Sequence, residues 1–228
     1  MVKNEREVEG VKNSRRTDGA ASGTKRGGNG VPPLQAVLVL LASFIVGSVP
    51  FGYLMARLRF QTDIREHGSK NIGATNVART FGIRVGLGVL LLDALKGALA
   101  ITMAYHLLPH QGAWVSLAGV AAMLGHVFSP FMKFRGGKGI ATGLGVLIAL
   151  FWPAAAIASL GFALVVFLFR IVSLASFAAM VAALVSFWLF GQTTDFWFFG
   201  VPAVMLAFWA HRSNWRRLLQ GQEPRFGR

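Results

Sequence analysis

The chain has 228 residues, of which 54% are apolar and 14% charged, with a net charge of +14 and no cysteine. A soluble domain carries about 25% charged residues, so the composition points away from a soluble fold, and the missing cysteines exclude disulfides, thiolate metal sites and cysteine nucleophiles. The positive charge does not indicate nucleic acid, because the bases cluster at the ends of apolar runs, where anionic headgroups or anionic substrates meet them.

In chain order, residues 1–30 are rich in Gly, Ser, Asn, Lys, Arg and Glu and lack an apolar run. They read as a disordered polar tail ahead of a membrane-embedded domain at 31–228. Apolar segments follow at roughly 33–56, 82–108, 112–132, 140–152, 154–169, 171–191 and 195–210. About 20 such residues cross the hydrocarbon core as a helix. The segments at 140–152 and 154–169 are short and divided by Pro153, which breaks the backbone ladder. The count is therefore six or seven, and seven is preferred. The expected fold is an all-α polytopic membrane helix bundle of about seven transmembrane helices with glycine-rich cytoplasmic loops.

Charge orients it. Arg57, Arg59, Arg65, Lys70, Arg79 and Arg84 gather on one side with Lys133, Arg135 and Lys138. Seven helices add Arg170 and the C-terminal arginines to that side. The opposite loops, near 106–112 and 191–195, carry no Lys or Arg. The basic side is then cytoplasmic by the positive-inside rule. The tail opposes this assignment, since an odd count places its seven bases and four acids outside.

Three polar islands fall on the basic side. The first runs from Gly68 through Ser69, Asn71, Gly73, Thr75 and Asn76 to Arg79. Its glycines let backbone amides approach an anion, its hydroxyls and amides add hydrogen bonds, and Arg79 can grip a phosphate bidentately. The second, Gly136-Gly137-Lys138-Gly139, opens a helix, where amides and one lysine form an anion cradle. It is not a P-loop, because Gly139 stands where Ser or Thr is required and no strand precedes it. The third, His211-Arg212-Ser213-Asn214, follows the last apolar segment and places His211 and Asn214 about one turn apart. Within the second long helix, Asp93 and Lys96 read as a structural ion pair facing the bundle, and His126 as a hydrogen-bonded packing residue. The histidines show no metal-ligand spacing. No G-x-S-x-G elbow occurs, and no His is followed four residues later by Asp. An enzyme with these islands must use an activated substrate or act chiefly by positioning.

The islands resemble those of the bacterial acyl-phosphate:glycerol-3-phosphate acyltransferase family. The resemblance runs over about residues 34–226. It takes in Gly47-Ser48, Gly68 to Asn76, Asp93-x-x-Lys96-Gly97, Gly125-His126, Gly136 to Thr142, Val172 to Ser176, and His211-Arg212-x-Asn214-x-x-Arg217-Leu218. The departures are Lys70, Trp215 and the long tail. The resemblance implies transfer of an acyl group from acyl phosphate to the 1-hydroxyl of sn-glycerol 3-phosphate, giving lysophosphatidic acid and phosphate, in the first acylation of phospholipid synthesis. It implies a multi-pass protein of the bacterial inner membrane with its site facing the cytoplasm, surrounded by membrane lipids, with no cofactor, no metal and no nucleic acid. A soluble acyl-ACP:phosphate acyltransferase that supplies the donor is an expected partner. The implied catalytic residues are Ser69, Lys138, His211 and Asn214. The implied substrate-binding residues are Gly68, Asn71, Gly73, Thr75, Asn76, Arg79, Gly136, Gly137 and Ser176. Ser69, Arg79 and Lys138 would hold the reacting phosphates and carbonyl, while Ser176, His211 and Asn214 orient the acceptor. The reading from another class is a small anion transporter with glycine-rich gates, which the one-sided placement of the islands opposes.

Overall fold

The computed structural model describes residues 32–227. The expected tail at 1–30 lies outside the described residues. Among the described residues every regular element is a helix. α1 (Pro33–Ser48) and α2 (Phe51–Phe60) are parted at Val49-Pro50. Pro50, with its fixed φ, ends one ladder and opens the next. A short amphipathic α3 (Ala74–Phe81) leads into α4 (Ile83–Leu107), followed by α5 (Gly112–Val127). Then come α6 (Ile140–Phe169) and α7 (Val172–Leu189). One turn of helix, α8 (Thr193–Asp195), passes through a π-helical turn at Phe196–Gly200 into α9 (Val201–Ala210). The basic α10 (Arg212–Leu219) follows after His211.

Among the described residues six helical stretches, the first of them α1 and α2 taken together, are long and apolar enough to cross a membrane. The fourth of them, α6, joins the two segments that the sequence reading separated. A straight helix of its 30 residues would hold its ends about 45 Å apart. Yet Gly139, before its start, and Val172, just beyond its end, line one cavity. Phe151, at φ −155° and ψ 87°, turns the element back on itself, giving two arms at 140–150 and 152–169. The seven apolar segments are therefore present, but the break falls at Phe151 and not at Pro153. Pro153 lies in the first turn of the returning arm, where its missing N–H leaves no carbonyl unpaired. The Phe151 ring packs 5.5 Å from that of Phe190, just past the end of α7, so the bend sits at the end of the bundle remote from residues 139 and 172.

Small residues fix the helix pairs, as expected where lipid removes the hydrophobic drive between helices. A Cβ on Gly145 would meet the Ala94 carbonyl at 1.7 Å, and one on Gly97 the Thr142 carbonyl at 2.1 Å. The first arm of α6 is thereby pressed against α4. Gly47 and Gly125 do the same for α1 and α5, where a Cβ would lie 2.0 Å from backbone oxygens of Ala122 and Phe44. The exposed Leu, Phe and Trp side chains on the outer faces are the surface such a bundle presents to lipid.

Candidate functional site

The first island folds around Asn76, which is 1% exposed. Its Nδ2 donates to the carbonyls of Ile64 (3.2 Å), His67 (3.0 Å) and Asn71 (2.8 Å). Its Oδ1 accepts the Ser69 amide at 2.7 Å. Gly68 sits at φ +54°, and a Cβ there would meet Asn76 Oδ1 at 2.3 Å, so glycine is required by both the dihedral and the space. Asn71 Oδ1 accepts the Gly73 amide at 2.8 Å. Asn76 lines the cavity, but its amide is fully engaged by the loop, so it shapes the wall to which Ser69, Thr75 and Arg79 also contribute.

In the second island the glycine amides do not cradle an anion. Gly136 N–H donates to the Val127 carbonyl and Gly137 N–H to the His126 carbonyl, both at 3.0 Å. A helix leaves its last carbonyls without intrahelical partners, and this loop satisfies those of α5. Gly68, Gly136 and Gly137 are also absent from the cavity wall, whereas Lys138 and Gly139 form part of it. The glycine pair acts by allowing close approach, since a Cβ on Gly137 would lie 2.1 Å from His126 Nε2. His126 in turn belongs to a buried cluster. Lys96 Nζ lies 2.8 Å from Asp93 Oδ1, 2.9 Å from His126 Nδ1 and 2.8 Å from the Val49 carbonyl. This ion pair ties α4, α5 and the α1–α2 junction together beneath the loop that carries Lys138.

The third island closes the site. His211 is 2% exposed, and its Nδ1 lies 2.8 Å from the Ala207 carbonyl. That contact assigns the proton to Nδ1 and leaves the Nε2 lone pair free. Trp215 stacks on Phe177 with ring centroids 3.9 Å apart, locking α10 against α7. Asn214 Nδ2 donates to Glu223 Oε1 at 2.5 Å, as does Ser173 Oγ at 2.8 Å, and Arg217 Nε donates to Glu223 Oε2 at 2.8 Å. Ser176 Oγ donates to the Val172 carbonyl of its own helix at 2.9 Å. The returning C-terminal segment is held by Phe226 N–H on the Arg170 carbonyl, at 2.6 Å, and by Arg79 on the Pro224 carbonyl, at 3.4 Å.

One cavity therefore collects Ser69, Asn71, Gly73, Thr75, Asn76, Arg79, Lys138, Ser176, His211 and Asn214. Ser173 and Glu223 join them, and the sequence reading named neither as a site residue. Ser173 had a signal, since it lies one turn from Ser176 and shares its face. Glu223 had only its isolation as the one acid in residues 196–228.

Burial lowers the Lys138 ammonium to about 8, with Glu223 opposing and Arg217 and Arg79 assisting. Burial, then the charge of Lys138, lowers the His211 imidazole to about 4. For Glu223 burial acts upward, but the hydrogen bonds from Asn214, Ser173 and Arg217 outweigh it and hold the carboxyl below its usual range. Near neutrality the site thus holds cationic arginine and lysine around a neutral histidine. Among the described residues no three His, Asp or Glu side chains come together as metal ligands.

Residues 37–221 match the family described as glycerol-3-phosphate acyltransferase. The glycerol-3-phosphate acyltransferase of Bradyrhizobium diazoefficiens is 41% identical over 190 residues, covering 83% of this chain and 94% of the relative. That of Synechococcus sp. (strain JA-2-3B'a(2-13)) is 43% identical over 194 residues, covering 85% and 96%. The crystal structure of PlsY (YgiH), an integral membrane glycerol 3-phosphate acyltransferase, in its glycerol 3-phosphate form superposes with a TM-score of 0.80 at 35% identity, covering 84% of this chain and 96% of that one. Its lysophosphatidic acid form gives 0.77 at 33% identity, covering 84% and 95%. Sequence and fold agree along more than four fifths of this chain and nearly the whole of each relative, and the chain belongs to the glycerol-3-phosphate acyltransferase family.

Proposed function

We propose that this multi-pass membrane protein acylates the 1-hydroxyl of sn-glycerol 3-phosphate with acyl phosphate as donor, releasing lysophosphatidic acid and inorganic phosphate. The observation that carries the reading is a single cleft with a cationic mouth and an apolar interior. Arg79, Lys138, Ser69 and Asn214 line the mouth, and Leu144, Met180 and Ala203 line the interior. Two phosphorylated substrates repel each other, and Arg79 and Lys138 offset that repulsion. In the reaction the acceptor hydroxyl oxygen bonds to the acyl carbon. The bond from that carbon to the bridging oxygen breaks, and its electron pair leaves with phosphate. Acyl phosphate is already activated, so no covalent enzyme intermediate is required. In this reading Ser69 and Lys138 are the donors that stabilise the developing oxyanion. The hydroxyl proton needs an acceptor. His211 holds a proton only below about 4, whereas a phosphate monoester takes its second proton at roughly 6. The departing phosphate is the better base, and His211 Nε2 orients the hydroxyl toward the acyl carbon.

The basic end of the bundle faces the cytoplasm in this reading, in a bacterial inner membrane, where a soluble enzyme supplies the acyl phosphate. The test is phosphate release by detergent-purified protein given palmitoyl phosphate, with and without glycerol 3-phosphate, beside Lys138→Ala. Acceptor-dependent release that falls sharply in the variant supports the reading. Well-folded protein with no such release rejects it.

A further inference from the structure

Beyond the polar mouth the cleft continues between α7 and α9 as an apolar stretch, here termed the shaft. Along α9, the π-helical turn before it and the His211 that follows it, the wall includes His211, Ala207, Ala203 and Phe199, at every fourth position. On α7 it is formed by Ser176, Ala179, Ala183 and Phe187. Both walls show the same order, with a polar group at the top, alanines along the length and a phenylalanine at the bottom. Alanines set the width. The two phenylalanines, 0% and 2% exposed, close the end. Their rings stand edge to face with centroids 6.3 Å apart, and Phe151 at the bend of α6 backs Phe187 at 6.1 Å. Gly200 leaves the room the plug occupies, since a Cβ there would lie 3.0 Å from Leu184 and 3.1 Å from Phe187.

We infer that Phe187 and Phe199 are specificity-determining residues that set the longest acyl chain the enzyme handles well. The inference rests on the acyltransfer reading above. From the level of His211 to that of Phe199 the shaft runs about 18 Å, at about 1.5 Å per helical residue, which accommodates roughly 14 methylenes in extended form. Chains of about 14 to 16 carbons then fill it, and each longer chain must kink or leave its end unburied. Burying one more methylene is worth roughly fourfold in an equilibrium constant, so misfit of a few carbons is measurable as a rate difference. Removing either ring deepens the shaft. A larger side chain at Ala203, one helical turn above Phe199, shortens it by about four carbons on the same geometry.

The experiment measures acceptor-dependent phosphate release from saturated acyl phosphates of about 10 to about 20 carbons, for the unsubstituted protein, Phe187→Ala, Phe199→Ala and Ala203→Leu. Thermal unfolding of each variant establishes that it is folded. The expected result is a rate maximum displaced by about two carbons or more, toward longer chains in the Phe variants and toward shorter chains in Ala203→Leu. If the Phe variants do not fold, Ala203→Leu alone decides. Folded variants whose profiles coincide with that of the unsubstituted protein overturn the inference while leaving acyltransfer standing. Absence of release at every length from the unsubstituted protein overturns both.

Discussion

Asn214 Nδ2 donates to Glu223 Oε1, which leaves Asn214 Oδ1 as a buried acceptor with no partner at the wall of the cleft. The carboxylate thus fixes which way the amide faces and keeps an acceptor available for a ligand hydroxyl. Replacing Glu223 by Ala strips an acceptor from Asn214, Ser173 and Arg217 at once. Each buried donor left without a partner costs about 1–3 kcal/mol. Glu223→Ala is expected to lower the thermal midpoint and to raise KM for the acceptor by an order of magnitude or more. An unchanged midpoint and acceptor KM would show that the C-terminal segment does not organise the site.

The alkaline limb of the pH profile should report Lys138. Its ammonium holds its proton up to about 8 in the unliganded protein, so the charge proposed to attract phosphate is present below that pH and lost above it. The expected outcome is a kcat/KM that falls above about pH 8, the free-enzyme quantity. The kcat limb should lie at higher pH, because bound phosphate stabilises the charged form. Lys138→Arg should flatten the decline, whatever its absolute rate. A wild-type kcat/KM flat beyond pH 9.5 would remove Lys138 from the binding of the anion.

Gly137 offers a steric test with an internal control. A Cβ there meets the His126 ring at 2.1 Å, whereas a Cβ at Gly88 in α4 meets nothing within 4 Å. Gly137→Ala must push the Lys138 loop off the end of α5, and a fall in kcat/KM of about tenfold or more is expected from the misplaced cation. Gly88→Ala should retain activity and gain up to about 1 kcal/mol from helix propensity. Steady-state kinetics and thermal unfolding of the two variants check this, and equal kinetics would refute the steric account.

The Asp93–Lys96 pair is expected to be structural. Removing one partner, as in Lys96→Met or Asp93→Leu, leaves an uncompensated buried charge at a cost of about 3–5 kcal/mol. The double variant should recover part of that loss. Full recovery is not expected, because Lys96 also binds the Val49 carbonyl and His126. Thermal unfolding in detergent measures the cycle, and additive losses would show that the two groups act independently.

The helices were legible because membrane burial requires long apolar runs, and those runs are unambiguous in this sequence. That Arg79, Lys138, His211 and Asn214 line one cavity was legible because charge gathered three islands on one side. The return of α6 was half legible. Proline marked the neighbourhood, but the residue that turned was Phe151, since proline is comfortable in the first turn of a new helix. Gly136 and Gly137 misled, because a glycine whose amide serves a neighbouring backbone looks the same in sequence as one whose amide serves a ligand. Glu223 offered only its isolation, which does not place it. Its position depends on the chain folding back after α10, and a lone acid in a basic segment has no spacing to betray that.

The gradient of the cleft, from cations at the mouth to phenylalanines at the floor, has a consequence for where the product goes. In the proposed reading a lysophospholipid made there has its phosphate at the surface and its chain in the hydrocarbon, the same orientation it takes as a free lipid. Leaving sideways into the surrounding layer would not require its headgroup to enter the membrane interior, where an unpaired charge is costly. Chemistry and delivery then share one axis, and each turnover enlarges only the leaflet from which the acceptor came.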